Sequence, residues 1–180
     1  AITDPAAVCF PNTVDITAAA VTAGSSNVTS LLYYDNLSGP TVTATPAAIA
    51  TSGTYYIVAT GVAGCNDTAT VDVVVNPTAT LVITNPAAVC SPITVDITAA
   101  AITAGSSNLG ALTYFTDAAC TTPLSNPATV SASGTYYIVS AGVGGCNDTA
   151  TVDVVVNPTA TLAITDPAAV CFPNTVDITA

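Results

Sequence analysis

Cysteine is the residue type in this chain best suited to covalent chemistry, and its spacing is regular. Cys9 and Cys65 are 56 residues apart, and Cys90 and Cys146 repeat that separation. A zinc site would need four thiolates gathered from distant loops, because the chain has no His and no C-x-x-C pair. We therefore predict disulfides of an oxidising compartment, joining Cys9 to Cys65 and Cys90 to Cys146. Pairs of buried free thiols are the alternative.

Two further cysteines fall outside those pairs. Cys171 lies in a third, incomplete copy of the pattern, so its partner is expected beyond the end of this sequence. Cys120 has no counterpart, because Gly39 stands at the equivalent position. A free thiol and an inter-chain link both remain open for Cys120.

The charge inventory excludes several classes of partner and reaction. The chain has no Lys, Arg or His, and its 11 acidic residues are all Asp, giving a net charge of −11. Nucleic acid is excluded as a partner because phosphate binding depends on Lys and Arg. No apolar run is long enough to predict membrane insertion. A Ser or Cys nucleophile lacks the His or Lys base that it needs, so we predict that the protein is not an enzyme.

No cofactor is predicted, and calcium is the one metal that the Asp oxygens could bind. The Asp residues are scattered along the sequence without a D-x-D-x-D loop. Asp4, Asn85 and Asp166 stand at equivalent positions and could contribute to a site between domains. Solvation of strand faces and turns is the alternative role for most Asp side chains.

The sequence repeats itself with a period of 81 residues. Residues 1–18 recur identically at 163–180, and a related copy begins at Val82. A period of this length is typical of one small domain per repeat rather than of a solenoid coil. The predicted units, a window on a longer array, are an immunoglobulin-like repeat at 1–79, a second at 80–160 and the start of a third at 161–180.

The segment Asn76-Pro77-Thr78-Ala79-Thr80, which recurs from Asn157, is the predicted junction between repeats. Its proline has no N–H and cannot serve a central strand, so it stiffens the connection. An ordinary turn between strands is the alternative.

Short strands between turn signals dominate each repeat. In the first repeat we predict them at residues 1–3, 13–17, 31–35, 41–45, 47–50, 53–60 and 69–75. No segment carries a convincing helical period. About seven short strands per repeat predict an all-β fold of tandem immunoglobulin-like β-sandwich domains, arranged as beads on a string.

Four motifs carry a resemblance to a known family: ITDPAAVC, TVDITAAAVTAGSS, DAACTTPLSNPATVSASGTYYI and GCNDTATVDVVVNP. The chain resembles the immunoglobulin-like tandem repeats of large secreted Bacteroidota surface adhesins, the SprB-like gliding-motility adhesin family. The resemblance covers the whole chain and implies export by type IX secretion and a place in surface filaments. The complete lack of Lys and Arg departs from that family.

Two short motifs indicate glycosylation. Asn66 and Asn147 each begin an N-x-[ST] acceptor pattern. The Asp-Thr-Ala that follows resembles the O-glycosylation acceptor of Bacteroidota, whose modified residues would be Thr68 and Thr149. Turn chemistry, in which Asn and Asp bind nearby backbone, is the alternative.

The function predicted from these features is structural and adhesive: an extracellular, cell-surface filament of disulfide-stapled repeats. Its expected partners are further repeats of the same chain, lateral copies, and surface polysaccharide or other cells. The alternative is a carbohydrate- or ice-binding module that presents Thr41 and Thr43 on a flat face. Residues 28–51 differ most between the repeats, as a ligand face or a permissive loop region would.

Overall fold

The computed structural model describes residues 1–38 and 41–177, which form strands joined by turns and three short 3₁₀ turns. Within these residues no helix is long and apolar enough to cross a membrane. The 3₁₀ turns are Val62–Gly64, Ala100–Thr103 and Val143–Gly145. The strands are β1 (Val8–Cys9), β2 (Val28–Asn36), β3 (Thr41–Val42), β4 (Gly53–Gly61), β5 (Asn66–Val73), β6 (Val75–Asn76), β7 (Val89–Cys90), β8 (Leu112–Phe115), β9 (Gly134–Ser140), β10 (Asp148–Val154) and β11 (Val156–Asn157).

Both repeats have a β-sandwich plan, but the strand equivalent to β3 is reduced in repeat 2 to the single bridge Phe115↔Pro123. In repeat 1 an antiparallel sheet has the order β3-β2-β4-β5, and β1 pairs in parallel with β6. Repeat 2 has the order β8-β9-β10, with β7 parallel to β11. The opposite layer is held by the bridges Val14↔Ile49 and Val95↔Val130. The four-strand order matches the G-F-C-C′ sheet of immunoglobulin domains, so the chain is a tandem of immunoglobulin-like β-sandwich repeats.

Each repeat has its own apolar core, and the two cores share no residue. The period-2 alternation of the GTYYIV and TVDV segments turns every second side chain inward. Ile57 and Val71 in repeat 1 are at most 2% exposed, as are their equivalents Ile138 and Val152 in repeat 2. Each such side chain contributes about 1.5–3 kcal/mol relative to an exposed one.

A tyrosine at the start of the F strand anchors each sandwich. Tyr55 Oη donates to the carbonyl of Thr51 at 3.1 Å, and Tyr136 Oη donates to the carbonyl of Ala132 at 3.0 Å. This is the tyrosine corner of immunoglobulin domains, where a Cys of the inter-sheet disulfide stands two residues later. Here that position holds Ile57, so the core is closed by aliphatic packing and the cysteines lie elsewhere.

Four predicted strands of repeat 1 are shorter than expected or not formed. Residues 1–3 form no strand, residues 13–17 and 47–50 contribute only the single bridge Val14↔Ile49, and residues 41–45 contribute only β3. In residues 13–17 the Asp15 carboxylate accepts hydrogen bonds from the Thr17 amide and hydroxyl, at 2.8 and 2.6 Å, which turns the chain. The hydroxyl bond, followed by the amide bond, holds the pKa of Asp15 below its ordinary value.

Tyr55→Phe should lower the free energy of unfolding of repeat 1 by about 1 kcal/mol, because the part-buried Tyr55 hydroxyl loses its hydrogen bonds to the carbonyl and hydroxyl of Thr51. Urea denaturation followed by tyrosine fluorescence measures this. Tyr56→Phe, a neighbouring substitution outside the corner, is the matched control. Equal effects at the two positions would contradict the assigned role of Tyr55.

Candidate functional site

A disulfide joins the two repeats. The Sγ atoms of Cys9 and Cys146 are 2.01 Å apart and their Cα atoms 5.4 Å, across a sequence separation of 137 residues. Cys9 ends β1 of repeat 1, and Cys146 precedes β10 of repeat 2. The predicted bonds within repeats are therefore wrong in their pairing: Cys65 and Cys90 are free thiols, and both are exposed.

The geometry of repeat 1 explains the correction. Cys9 lies opposite Asn76 in the β1–β6 pair, at the end of the repeat that faces repeat 2. Cys65 directly precedes β5, at the other end of the same continuous edge. Ten residues of extended chain, at roughly 3.3 Å each, separate these ends by about 30 Å, whereas a disulfide needs Cα atoms within about 7 Å.

The linker is paired with repeat 2 through its backbone. Thr80 and Ser107 exchange two N–H···O bonds of 2.9 Å. The Ala79 amide donates to the carbonyl of Cys146 at 3.0 Å, next to the disulfide. The Leu81 amide donates to the Asp148 carboxylate at 2.7 Å.

The linker side chains are buried in the same contact. Ala79 is 2% exposed, and Leu81, at 9%, belongs to the core of repeat 2. Asn108 Nδ2 adds a 3.2 Å bond to the carbonyl of Thr78. The linker is thus an extended segment held against repeat 2 by the single bridge Thr80↔Ser107 and the neighbouring bonds, rather than a loose tether.

On the other side, the linker is tied to repeat 1. The Phe10 amide donates to the carbonyl of Asn76 at 2.9 Å, and the Thr78 hydroxyl donates to the carbonyl of Phe10. Gly144, with φ +62°, lies against Asn76 so closely that a Cβ would overlap the Asn76 amide. A larger residue at this position would require the Asn76 side chain to rotate away, and glycine also suits the positive φ.

Cys120 lies in a turn held together by Asp117. The Asp117 carboxylate accepts bonds from the amide of Thr122 at 2.7 Å and from the hydroxyl of Thr121 at 2.8 Å. These bonds, the Thr122 amide first, lower the pKa of Asp117. Cys120 has φ +52° and an intermediate exposure, and its thiol is free. Cys171, in the third copy, is an exposed free thiol.

The predicted glycosylation residues lie on the surface beside the cysteines. Asn66 and Thr68 in repeat 1, and Asn147 and Thr149 in repeat 2, are all exposed. Asn147 Oδ1 accepts a 3.1 Å bond from the amide of Gly142. Glycosylation of these residues stays a prediction.

The positions considered for calcium have local bonds. Asp4 Oδ1 accepts from the amide of Asp72 at 2.9 Å, and Asn85 Oδ1 from the amide of Asp153 at 3.0 Å. Each of these bonds ties the entry segment of a repeat to its own last long strand. Asp166 is exposed. No group of three or more potential metal ligands gathers within residues 1–38 and 41–177.

The predicted flat threonine face is wrong. Thr43 is only 8% exposed, and its hydroxyl donates to Asp35 at 2.8 Å. Because the Thr43 hydroxyl is turned away from solvent and bonded to Asp35, Thr41 and Thr43 do not present a shared row of hydroxyls to a ligand.

Sequence reasoning missed the inter-repeat disulfide and the tyrosine corner. The corner was detectable, because a Tyr opens the GTYYIV strand after a short turn. The inter-repeat disulfide was not detectable, because the two cysteines of each repeat are 56 residues apart and this regular spacing favours a bond within the repeat.

No protein-family model matches the chain, and no curated protein is significantly similar to it in sequence. Among solved structures it is similar to Drosophila OTK extracellular domains 3–5, with 16% identity, coverage of 71% of this chain and 51% of that one, and a TM-score of 0.46. The insect immune protein hemolin is 11% identical over 87% of this chain and 46% of its own, with a TM-score of 0.44. Sidekick-1 immunoglobulin domains 1–4 are 12% identical over 71% of this chain and 40% of their own, with a TM-score of 0.41. The chain spans about half the length of these structures or less.

Cys9→Ser should leave both repeats folded while releasing their relative orientation, because the cores are separate and the disulfide spans the junction. Residual dipolar couplings should then fit two alignment tensors instead of one. Cys120→Ser, which replaces a cysteine outside the disulfide, should behave like the unaltered chain. A single shared tensor for Cys9→Ser would show that the linker alone fixes the orientation.

The Asp117 turn should persist to lower pH than an ordinary aspartate would allow. The pKa of Asp117 is lowered in the folded chain. The charged carboxylate therefore stabilises the turn at any pH above the pKa of the unfolded chain, and this stabilisation is lost as the pH falls through the lower pKa of the folded chain. A titration of the Thr122 amide shift by NMR measures the midpoint. Asp117→Asn should abolish the transition, and a midpoint at the ordinary Asp value would contradict this prediction.

Proposed function

We propose that this chain is a structural and adhesive segment of a long extracellular filament, built from immunoglobulin-like repeats that are linked by disulfides across their junctions. The observation that carries the proposal is the Cys9–Cys146 bond between repeats. A disulfide that only stabilised one domain would lie within that domain. This one connects successive domains, where a load along the chain would be transmitted.

The junction suits a stiff rod. Its linker binds repeat 2 through the Thr80–Ser107 pair and repeat 1 through Thr78 and Phe10. Orientation is therefore constrained by backbone hydrogen bonds, by burial of Leu81 and by a covalent bond at once. A flexible string of beads would need none of these.

The disulfide also limits how far the chain can lengthen. A pulling force passes through the disulfide from Cys9 directly to Cys146. The residues between these two cysteines, which form nearly all of both cores across a sequence separation of 137, therefore carry no force. Unfolding of either core then adds little length while the bond is intact. Such a segment resists extension even when its sandwiches open.

The location and partners proposed for the filament follow from chemistry and resemblance. A disulfide supports an oxidising, extracellular environment. The resemblance to SprB-like Bacteroidota adhesins supports a cell-surface position, type IX secretion, a role in gliding motility and glycosylation at Thr68 and Thr149. Further repeats, lateral copies and surface polysaccharide are the proposed partners, in a non-enzymatic role.

Single-molecule stretching of the chain from its two ends tests the mechanical role. The oxidised chain should unfold without releasing the 137-residue loop, and reduction should add about 490 Å of contour at roughly 3.6 Å per residue. Cys9→Ser with Cys146→Ser should reach that length without reductant. An oxidised chain that extends fully at low force would contradict the proposed mechanical role of the disulfide.

A further inference from the structure

The outward side of the four-stranded sheet in repeat 1 is apolar over its centre. Leu32 is 47% exposed and Val42 is 59% exposed. Tyr34 pairs with Val42 on one side and with Tyr56 on the other, so these side chains share one face of the sheet. The strand pairing adds further neighbours on that face. We define the outer face as Leu32, Tyr34, Val42, Tyr56, Val58, Thr68 and Thr70.

A neighbouring repeat does not cover this side of the sheet. Repeat 2 has repeat 1 before it, and on the equivalent side of its own sheet Thr113, Thr149 and Thr151 are exposed. The aromatic residues of that side, Phe115 and Tyr137, are partly exposed as well. The exposure of this side is therefore a property of the folded repeat.

The residues at two positions of this surface differ between the repeats. Leu32 of repeat 1 corresponds to Thr113 of repeat 2, and Val42 corresponds to Pro123. Because the same framework accepts a polar residue in place of Leu32, folding does not require this exposed leucine. A contiguous exposed apolar patch marks an interaction surface, whereas single scattered apolar side chains do not.

Charge decides where two copies of the chain can meet. Each copy has a net charge of −11 and no Lys, Arg or His, so two copies repel each other wherever their Asp residues come together. The outer face contains no Asp. On the same side of the sheet, Asp72 lies at its margin, where the carboxylate accepts a 2.6 Å bond from the Thr54 hydroxyl. Two outer faces can therefore make apolar contact without opposing charges.

The size of the outer face fits a weak contact. Four strands about 4.8 Å apart, each contributing about seven residues at about 3.4 Å, give roughly 19 by 24 Å, or about 450 Å². A stable interface covers about 800 Å² on each partner. A single repeat therefore supports transient pairing, and a filament would strengthen this pairing by repeating it along its length.

We infer that the outer face of repeat 1 binds the outer face of a second copy of this chain. In a two-fold arrangement with antiparallel strands, the aromatic row Tyr34 and Tyr56 of each copy lies against the aliphatic row of the other. That row is Leu32 and Val58. The two Asp72 side chains then lie at opposite ends, about 20 Å apart along the strands, which exceeds the screening length of about 8 Å. The inference rests on the proposed function and assigns a surface to the lateral copies proposed there.

A neutral polysaccharide is the competing occupant of the outer face. Sugars are recognised largely through hydrogen bonds to their hydroxyl groups, and the exposed side chains Leu32 and Val42 can make none. An aliphatic surface of this kind instead matches another apolar protein surface. The composition of the outer face therefore favours a second copy of the chain.

A dilution series followed by NMR tests the contact. The full ¹⁵N-labelled chain, with its free thiols capped by iodoacetamide, is compared between roughly 0.05 and 2 mM, because a contact below the standard size binds weakly. The amide shifts of the outer-face residues should change with concentration. Shifts that stay constant over this range, or that change only on other surfaces, would overturn the inference.

Leu32→Thr and Ile93→Asn form a matched pair of variants. Each installs the residue that the other repeat has at the equivalent position, Thr113 or Asn12, and each removes an exposed aliphatic side chain. Because both copies contribute Leu32 to a two-fold contact, Leu32→Thr should weaken association about tenfold. Ile93→Asn lies outside the outer face and should leave association unchanged. Equal weakening by both variants would count against the assigned surface.

Dextran, a neutral glucan, added to the dilute chain is the second probe. It should leave the amide shifts of the outer face unchanged. If dextran shifts these amides while concentration alone does not, the outer face is a carbohydrate site and the inference of self-association is wrong.

Failure of this inference is distinguishable from failure of the proposed function. Leu32 lies outside the junction, so Leu32→Thr keeps the Cys9–Cys146 disulfide and the stretching behaviour predicted for it. A chain that stretches as predicted but does not associate would retain the mechanical role and lose only the lateral contact.

Discussion

The parallel pairing of β1 with β6 is the constraint on which the rest of the structure depends. It carries Cys9 to Asn76, at the end of repeat 1 that meets repeat 2. Cys65 is left at the opposite end, roughly 30 Å away along the edge. The same pairing of β7 with β11 repeats this polarity in repeat 2. Cys9 is therefore placed for a bond to repeat 2 rather than to Cys65 of its own repeat.

As a result, different interactions fold each repeat and join it to the next one. The cores close through Ile16, Ile57 and their neighbours, with Tyr55 anchored at the corner, and they use no disulfide. The Cys9–Cys146 disulfide instead joins repeat 1 to repeat 2 at the junction.

The lack of side-chain cations is compatible with this architecture. With 11 Asp and no Lys or Arg, no side-chain ion pair contributes to the junction. The Asp side chains accept bonds from backbone amides instead, as Asp148 does from Leu81 and Asp4 does from Asp72. Hydrogen bonds to charged groups are stronger than neutral ones, about 1.5–3 kcal/mol each. The acidic residues thus act as fixed acceptors that connect the segments of each repeat.

The amino-acid sequence alone determined the period of 81, the all-β class and the sandwich architecture, because alternation, turn residues and self-identity are local properties. It predicted β4 and β5 well, since GTYYIV and TVDV alternate clearly. It failed at residues 13–17, where the bonds from Thr17 to Asp15 turn the chain, and at Thr43, which alternation cannot show to be buried. Only the tertiary structure decided the cysteine pairing. In a repeat sequence a bond within one unit and a bond between units use the same residue types at the same period, and only the distance between the two ends of a folded sandwich distinguishes them.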